Sequence, residues 1–409
     1  MRAATSPAGL IGGGVFPIRT GKALGHRHDH AEHACAFGDL PEISDPHWLE
    51  RQLRAVALTG RGGAHFPVAT KVAASRTASV TGWTVVANGA EGEPASGKDA
   101  TLLQLRPHLI LDGAQVAAAM IGARRIVIWL AEQASQSVES MHRAIAERAA
   151  WPGPRPEIVT TAERYLSGES SAIIRAVQGG PALPRATFEP GRSWAGGPPV
   201  LVHNVETLAR LGLLARTGAE CHEPTSLITI TDRDRRLVVE APASETFGEV
   251  FSRMGVPAPQ AVLLGGYGGE WVPWGDLGEL PIDPQALLAS GRSLGAGVLL
   301  TLAQGECGLR TTAPIAAWLA EESAGQCGPC RFGLPAISDL TTRLAGRPRR
   351  RDLDRLHELL GLVDGRGACR LPDGAVRMLR SALATFAAEV DLHRRGDCTT
   401  RDAPRWEAS

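Results

Sequence analysis

An α/β domain, a small strand-rich module and a helical bundle, in that order, are what this sequence predicts, and three observations predict it. From about residue 46 to 222, apolar strand-like runs alternate with amphipathic helical stretches. Between about 223 and 305, short β-rich runs surround a single helix, and from 306 to about 395 apolar residues recur at three- and four-residue spacing. Alternation of the first kind favours a largely parallel sheet with crossover helices, and spacing of the last kind favours packed helices. A chain of 409 residues is long enough for roughly two to three such units.

Residues 1–45 have no clear periodicity and read as an N-terminal arm. The stretch from Gly9 to Ile18 is mildly apolar, but it is rich in glycine, broken by Pro17 and followed by basic and histidine residues, which argues against a signal peptide. His26, His28, His30 and His33 with Cys35 are possible metal ligands; with no second cluster to match them, they read as a solvated or packed arm.

In the α/β segment the strands are expected at Thr84–Asn88, Arg125–Leu130 and Glu157–Thr160, and helices at Ile110–Gly122 and Gln136–Ala149. In the next segment, strands at Leu227–Ile230, Arg236–Val239, Ala261–Leu264 and Val298–Leu302 surround a helix near Thr246–Met254, a pattern that resembles a small β-grasp module. Helices are expected at Ala316–Glu322, Leu353–Val363 and Ala375–Leu392, with residues 396–409 as a tail.

Composition narrows the function. The 43 basic and 43 acidic residues cancel, so neither nucleic acid nor an anionic membrane is an expected partner. No run of about 20 uncharged apolar residues occurs, so no helix is expected to span a bilayer. Seven cysteines (35, 221, 307, 327, 330, 369 and 398) are too few and scattered for a disulfide scaffold, which points to a reducing, cytoplasmic setting, free or peripheral to a membrane complex.

Among those cysteines, Cys327-Gly-Pro-Cys330 and the later Cys369 offer three thiolates where a cubane iron–sulfur cluster normally takes four. On these residues alone, a zinc knuckle, a redox dithiol and ordinary buried thiols stand level with a cluster. Cys307 reads as a packed thiol. A second feature is the loop Gly60-Arg61-Gly62-Gly63-Ala64-His65-Phe66-Pro67 leading to Lys71, whose backbone N–H groups are free to approach a phosphate or flat ring without interference from Cβ atoms. Alone, it is no more than a tight turn at a strand end.

Further motifs follow in order: Asn88-Gly89-Ala90-Glu91-Gly92-Glu93-Pro94, Tyr165-Leu166-Ser167-Gly168-Glu169 and His203-Asn204-Val205-Glu206-Thr207. With the glycine loop and the cysteines, they resemble the flavoprotein subunit of respiratory complex I, a family shared with NAD-reducing hydrogenases and NAD-dependent formate dehydrogenases. The resemblance covers about residues 50 to 393, including Leu294-Gly295-Ala296-Gly297 after the β-grasp (soluble-ligand-binding) module. It implies a Rossmann-like FMN domain over 46–222, the β-grasp domain over 223–305 and a helical iron–sulfur domain over 306–395.

By that resemblance Gly60, Arg61, Gly62, Lys71, Asn88, Glu91, Gly168, Asn204 and Thr207 hold FMN, with Lys71 and Thr207 at its phosphate; Tyr165 and Glu169 line the flavin. Phe66 stacks on the dinucleotide, and Glu93 accepts from ribose or carboxamide. Cys327, Cys330 and Cys369 ligate a 4Fe-4S cluster with an atypical fourth ligand (Ser323, Glu322, water or a partner), or a three-iron cluster. The implied activity is NADH oxidation through flavin into an iron–sulfur relay, with ferredoxin-like or thioredoxin-like iron–sulfur proteins as partners.

The chain also departs from the family pattern. Ser170 stands where a second glutamate is expected, Thr187 where a lysine is, Val72, Ala73 and Ala74 where an aromatic is, His65 for a glycine, Ala90 for an aspartate and Ala324 for the first cluster cysteine. His65 reads as a surface-turn residue. These departures fall more on the NADH cleft than on the flavin cradle. They keep two alternatives open: a ferredoxin-linked flavin protein without NADH chemistry, and a cofactor-poor scaffold that docks redox partners.

Overall fold

Continuous apolar runs build the first sheet. In the computed structural model, which describes residues 26–43, 45–78, 80–185, 197–233 and 235–400, four parallel strands stand in the order β3-β2-β1-β4: β1 Thr84–Asn88, β2 Arg125–Ala131, β3 Glu157–Thr161 and β4 Val200–Asn204. Val85, Ala87, Ile126, Ile128 and Leu201 face one layer of helices, whereas Val86, Val127, Trp129, Val200 and Val202 face the other. Both faces are therefore covered, as a parallel sheet requires.

On the first face lie helices Pro107–Ile121 and Val205–Thr217, and on the second the helix Ser170–Val177. The first two pack backbone to backbone: a Cβ on Gly113 would sit 1.7 Å from the Leu208 carbonyl oxygen, and one on Gly212 would sit 2.7 Å from that of Leu109. No side chain fits at that crossing.

The chain runs outward from β1 through β2 to β3 and then returns to the other side of β1 for β4. That reversal makes the carboxyl ends of β1 and β4, where Asn88 pairs with Asn204, the topological switch point, the usual ligand crevice of such sheets.

The second sheet is mixed. Its order is β6-β5-β9-β7-β8, from β5 Thr225–Asp232, β6 Arg235–Pro242, β7 Ala261–Leu264, β8 Glu270–Pro273 and β9 Val298–Leu302. β5 and β9 are parallel at its centre and the outer pairs antiparallel; the helix Phe247–Arg253 is gripped through Phe247, Val250 and Phe251. A capping box between Thr246 and Glu249 starts that helix.

The last segment packs helices Gly308–Glu321, Leu334–Ala345, Asp352–Val363, Leu371–Thr385 and Ala387–Arg394 around one core that also takes in Leu263, Trp271 and Leu300 of the second sheet. The helix expected over 375–392 is two helices with a break at Phe386, whose ring occupies the space beside Gly308. The arm is not wholly irregular. Asp29 and Glu32 form a capping box for a helix over His30–Phe37, and its His33 is buried against Asp112 (2.7 Å), itself paired with Arg148 and Arg216. That histidine packs on its own chain rather than standing free to bind a metal.

Candidate functional site

The switch point gathers the four sequence motifs. Asn88 ends β1; its side chain donates to the Gly168 carbonyl (2.9 Å) and accepts from the Ala90 N–H (3.2 Å). Asn204 ends β4, caps the Val205–Thr217 helix by accepting from the Glu206 N–H, and donates to Asp99 (2.6 Å). The glycine loop closes on itself through the Gly60 N–H to Phe66 carbonyl bond (2.9 Å) and is pinned to that helix where the Arg61 N–H donates to Thr207 Oγ1 (2.9 Å). Gly62 lies over Asn204: its missing Cβ would be 3.6 Å from that residue's Cβ. A helix N-terminus beneath a glycine loop at a switch point is a ready site for an anionic ligand.

Small residues also let the loops meet. A Cβ on Gly168 would be 2.6 Å from the Ala90 carbonyl oxygen, and one on Gly92 would be 2.6 Å from that of Tyr165. The second and third motifs therefore touch along their backbones.

Lys71 contributes charge. Its ammonium is partly buried, donates to the Val202 carbonyl on the edge strand β4 (2.5 Å) and has no carboxylate partner among the described residues; burial pushes its pKa down to about 8. The neighbouring His203 is kept neutral by burial and by Lys71, and its Nε2 has no hydrogen-bond partner. An unneutralised buried ammonium is costly and fits a bound phosphate.

Glu93 is the other unusual group. Its Oε2 accepts from the Tyr267 N–H (2.9 Å), which ties the loop after β1 to the second sheet, whereas Oε1 is buried without a partner. Burial carries its pKa from 4.5 up to about 7. Between those values the folded state holds a proton that the unfolded chain has released, so raising the pH across this window removes stability, by the order of 2–3 kcal/mol at most. Glu93→Gln keeps an acceptor for Tyr267 but cannot ionise. Denaturant unfolding at steps from pH 4.5 to 7.5 should show the parent losing stability relative to this variant as pH rises, and parallel profiles would refute the assignment.

Other expected residues take different positions. The Glu91 carboxylate is engaged by the N-terminus of the Lys98–Leu105 helix, accepting from the N–H groups of Asp99 and Ala100 (3.1 Å each) and from Ser96. The Arg61 guanidinium turns away from its own loop to Ser226 Oγ (3.0 Å) and the Thr225 carbonyl (3.2 Å) at the start of β5; burial and nearby Arg210 lower its pKa to about 10. Phe66 is 45 % exposed beside the loop, and Thr187 lies outside the described residues. His65 differs from the solvated turn histidine expected: it adopts φ +47°, both ring nitrogens are buried, and burial together with Arg61 lowers its pKa.

Sequence reasoning missed the charge network under the cradle. Lys98 bridges Asp99 (2.7 Å) and Glu206 (3.1 Å), and Glu206 in turn pairs with Arg210 (2.9 Å), all buried. Burial opposes ionisation of Glu206, but Lys98, Arg210 and Arg61 outweigh it and hold its pKa low. The available signal was local: Lys98 and Asp99 stand one helical turn from Leu102 and Leu103, which are fully buried.

The three cysteines meet in the helical segment. Cys330 lies in a π-helical turn, Pro329–Gly333, of the kind often found at functional sites, and Cys369 stands two residues before the Leu371–Thr385 helix. Cys327, Cys330 and Cys369 are near enough to affect one another's ionisation. Burial, then neighbouring Cys327 and Cys369, push Cys330 up to about 12. Burial works against ionising Cys327 as well, yet the N–H groups of Ala368 and Cys330 bring its pKa below the ordinary thiol value. Ala324 is partly buried in the same core as Cys327 and Cys369. Three soft donors near enough to influence one another's ionisation are the ligand type of an iron–sulfur cluster.

The cysteine site adjoins the cradle. Glu169, which caps the Ser170–Val177 helix through the Ala172 N–H (2.9 Å), is close enough to raise the pKa of Cys369, although burial is the larger cause. The Tyr165 N–H donates to Glu322 (2.9 Å), and Tyr165 and Tyr267 each stand edge-on to Trp318 at 5.3 Å. Burial raises the pKa of the Tyr165 phenol, keeping it protonated.

Two family models match: the Nuo51 FMN-binding domain over residues 53–212, and the NADH-ubiquinone oxidoreductase-F iron-sulfur binding region over 310–393. The second of two F subunits of the NADH-quinone oxidoreductase of Rhizobium meliloti is 29 % identical over 82 % of this chain and 86 % of its own length. The F subunit of the Escherichia coli NADH-quinone oxidoreductase is 27 % identical over 85 % and 84 %, and the HndC subunit of the NADP-reducing hydrogenase of Solidesulfovibrio fructosivorans 25 % over 82 % and 74 %. In three dimensions the chain superposes on an NAD+-reducing NiFe hydrogenase in the H2-reduced state with a TM-score of 0.76 and 26 % identity, covering 94 % of this chain and 69 % of the other.

Proposed function

We propose, from the premise that this chain belongs to the family of the respiratory complex I flavoprotein, that it is an oxidoreductase subunit taking electrons from NADH through FMN into an iron–sulfur relay. The observation that carries this reading is the adjacency of the two sites: Glu169 and Tyr165 of the cradle border Cys369 and Glu322 of the cysteine segment.

When bound, FMN accepts a hydride and releases electrons one at a time, and the cluster takes them singly. The chain's own residues supply position and charge. Lys71, the Val205–Thr217 helix N-terminus and the Thr207 hydroxyl would hold the phosphate; the backbones of Gly60, Gly62 and Gly168, with Asn88 and Asn204, would border the ring. Glu93, poised near neutrality with one oxygen free, would hydrogen-bond substrate ribose or carboxamide, and the half-exposed Phe66 would stack on the dinucleotide. Cys327, Cys330 and Cys369 would ligate the cluster.

Ferredoxin-like or thioredoxin-like iron–sulfur proteins are the partners that suit the cysteine face. Phe332, two residues after Cys330, is 73 % exposed, and Leu362 on the helix packed beside the π-turn is 51 % exposed. Among the described residues no helix is long and apolar enough to cross a membrane, in keeping with a peripheral position in a complex.

Anaerobic titration of the purified, reconstituted protein tests the reading. NADH should bleach the flavin absorption, and Ser170→Glu should lower the NADH concentration required. Bleaching by reduced ferredoxin but not by NADH would move the assignment to a ferredoxin-linked flavin protein. Absence of flavin and cluster absorption would leave a scaffold.

The alanine at 324 gives a separate expectation. With three thiolates, one iron of a cubane has a weaker or exchangeable ligand, so air should convert the cluster to a three-iron form. Ala324→Cys should slow that loss severalfold by iron quantitation and EPR. Equal rates of loss in both proteins would mean that position 324 does not face the cluster.

A further inference from the structure

Outside the cradle and the iron–sulfur cysteines, one further set of soft ligands converges. Cys307 precedes the first residue of the Gly308–Glu321 helix, His393 lies in the last turn of the Ala387–Arg394 helix, and Cys398 follows on the segment after it. Their sulfur and nitrogen atoms all lie within 4.8 Å of one another. Cys307 Sγ is 3.4 Å from His393 Nε2.

The surroundings orient these donors. His393 Nδ1 donates to the Leu344 carbonyl (2.7 Å), which leaves the Nε2 lone pair directed at the cysteine side, the arrangement in which a histidine ligates metal. Glu389, one helical turn before His393, is buried; it accepts from the Leu309 N–H (3.3 Å) and its carboxylate also meets the Cys307 thiol. Gly308 rests on Phe386, where a Cβ would lie 2.4 Å from the ring, so the Cys307 corner is pressed onto the two last helices. The segment carrying Cys398 is brought back by Thr400, whose hydroxyl donates to the Gly305 carbonyl (2.7 Å) and whose carbonyl accepts from Arg310 (3.0 Å).

We propose that Cys307, His393 and Cys398 bind one zinc ion as its three protein ligands, with water in the fourth position. Two thiolates and one imidazole in a mostly buried pocket match the soft donors and tetrahedral coordination of protein-bound zinc. The three protein atoms come from the two ends of the helical segment, so the ion staples the chain that enters the bundle to the chain that leaves it. Binding releases the thiol protons to solvent. The site is separate from the Cys327, Cys330 and Cys369 set and does not depend on the flavin reading.

The test uses the full chain, purified under reducing conditions. Elemental analysis should find one zinc per chain besides iron. Cobalt(II) added to metal-free protein should give the visible bands of a tetrahedral ion and thiolate-to-metal charge transfer. Cys398→Ser, at a partly exposed position that should not disturb folding, should weaken zinc binding at least tenfold and lower the thermal midpoint, leaving iron content unchanged; Cys327→Ser should do the converse. A parent with neither zinc nor cobalt bands would overturn the proposal. So would zinc that survives Cys398→Ser but is lost with Cys327→Ser, or a Cys307–Cys398 disulfide detected by mass spectrometry in the reduced preparation.

Discussion

Lys71→Ala is expected to lower flavin affinity by a factor on the order of 10²–10³. Among the described residues the ammonium has no carboxylate partner, and burial pushes its pKa down to about 8, so a bound dianion would neutralise it. Removing one member of a buried charge pair typically costs about 3–5 kcal/mol, because the partner is left desolvated. Flavin retained through dialysis and fluorescence titration against apoprotein measure the effect. The fold should be little changed, since among the described residues Lys71 makes one hydrogen bond, to Val202, and leaves no partner charge behind when removed. Flavin held as tightly by the variant as by the parent would move the phosphate away from this lysine.

Gly113→Ala should act on the fold instead. A methyl at that position would overlap the Leu208 carbonyl oxygen at 1.7 Å, a backbone atom that no rotamer change can move. The helices Pro107–Ile121 and Val205–Thr217 would have to separate, opening the core around Leu109, Leu208 and Leu211. Overpacking of this kind costs about 3 kcal/mol or more, enough to lower the thermal midpoint by on the order of 10 °C. The Val205–Thr217 helix begins at Asn204 and carries Thr207, so flavin binding should fall as well. An unshifted midpoint in differential scanning calorimetry would mean that the two helices are not in backbone contact.

Much of this architecture is legible in the sequence because local pattern and final burial coincide. Thr84–Asn88, Ala261–Leu264 and Val298–Leu302 are strands with the expected bounds: each is a short apolar run between turn-forming residues, and each is buried on both faces or nearly so. β4 is less obvious, because its Val200-Leu201-Val202 core follows a proline-rich approach and ends in the polar His203-Asn204 pair. The helix Leu334–Ala345 is apolar at its buried positions but opens with proline and contains Ser and Thr, which blurs its periodicity.

At the candidate site the backbone motifs were readable and the side-chain directions were not. A glycine loop announces close approach, yet nothing in its sequence says that the Arg61 guanidinium crosses to β5, or that Glu91 caps a helix. The first of these directions depends on residues over 100 positions away. The same kind of separation hid the convergence of Cys307 with His393 and Cys398, and the packing of His33 on Asp112.

Trp318 has a consequence for how the three units move. Its indole stands between the only two tyrosines of the chain, Tyr165 from the cradle and Tyr267 from the second sheet, while it belongs itself to the helical segment. A hinge between the helical segment and either of the other units would therefore have to break an aromatic contact. Electron tunnelling falls off exponentially with separation, and this keystone makes the gap between the cradle and the cysteine site a fixed property of the fold rather than a fluctuating one, so the rate of transfer across it should be insensitive to solvent viscosity.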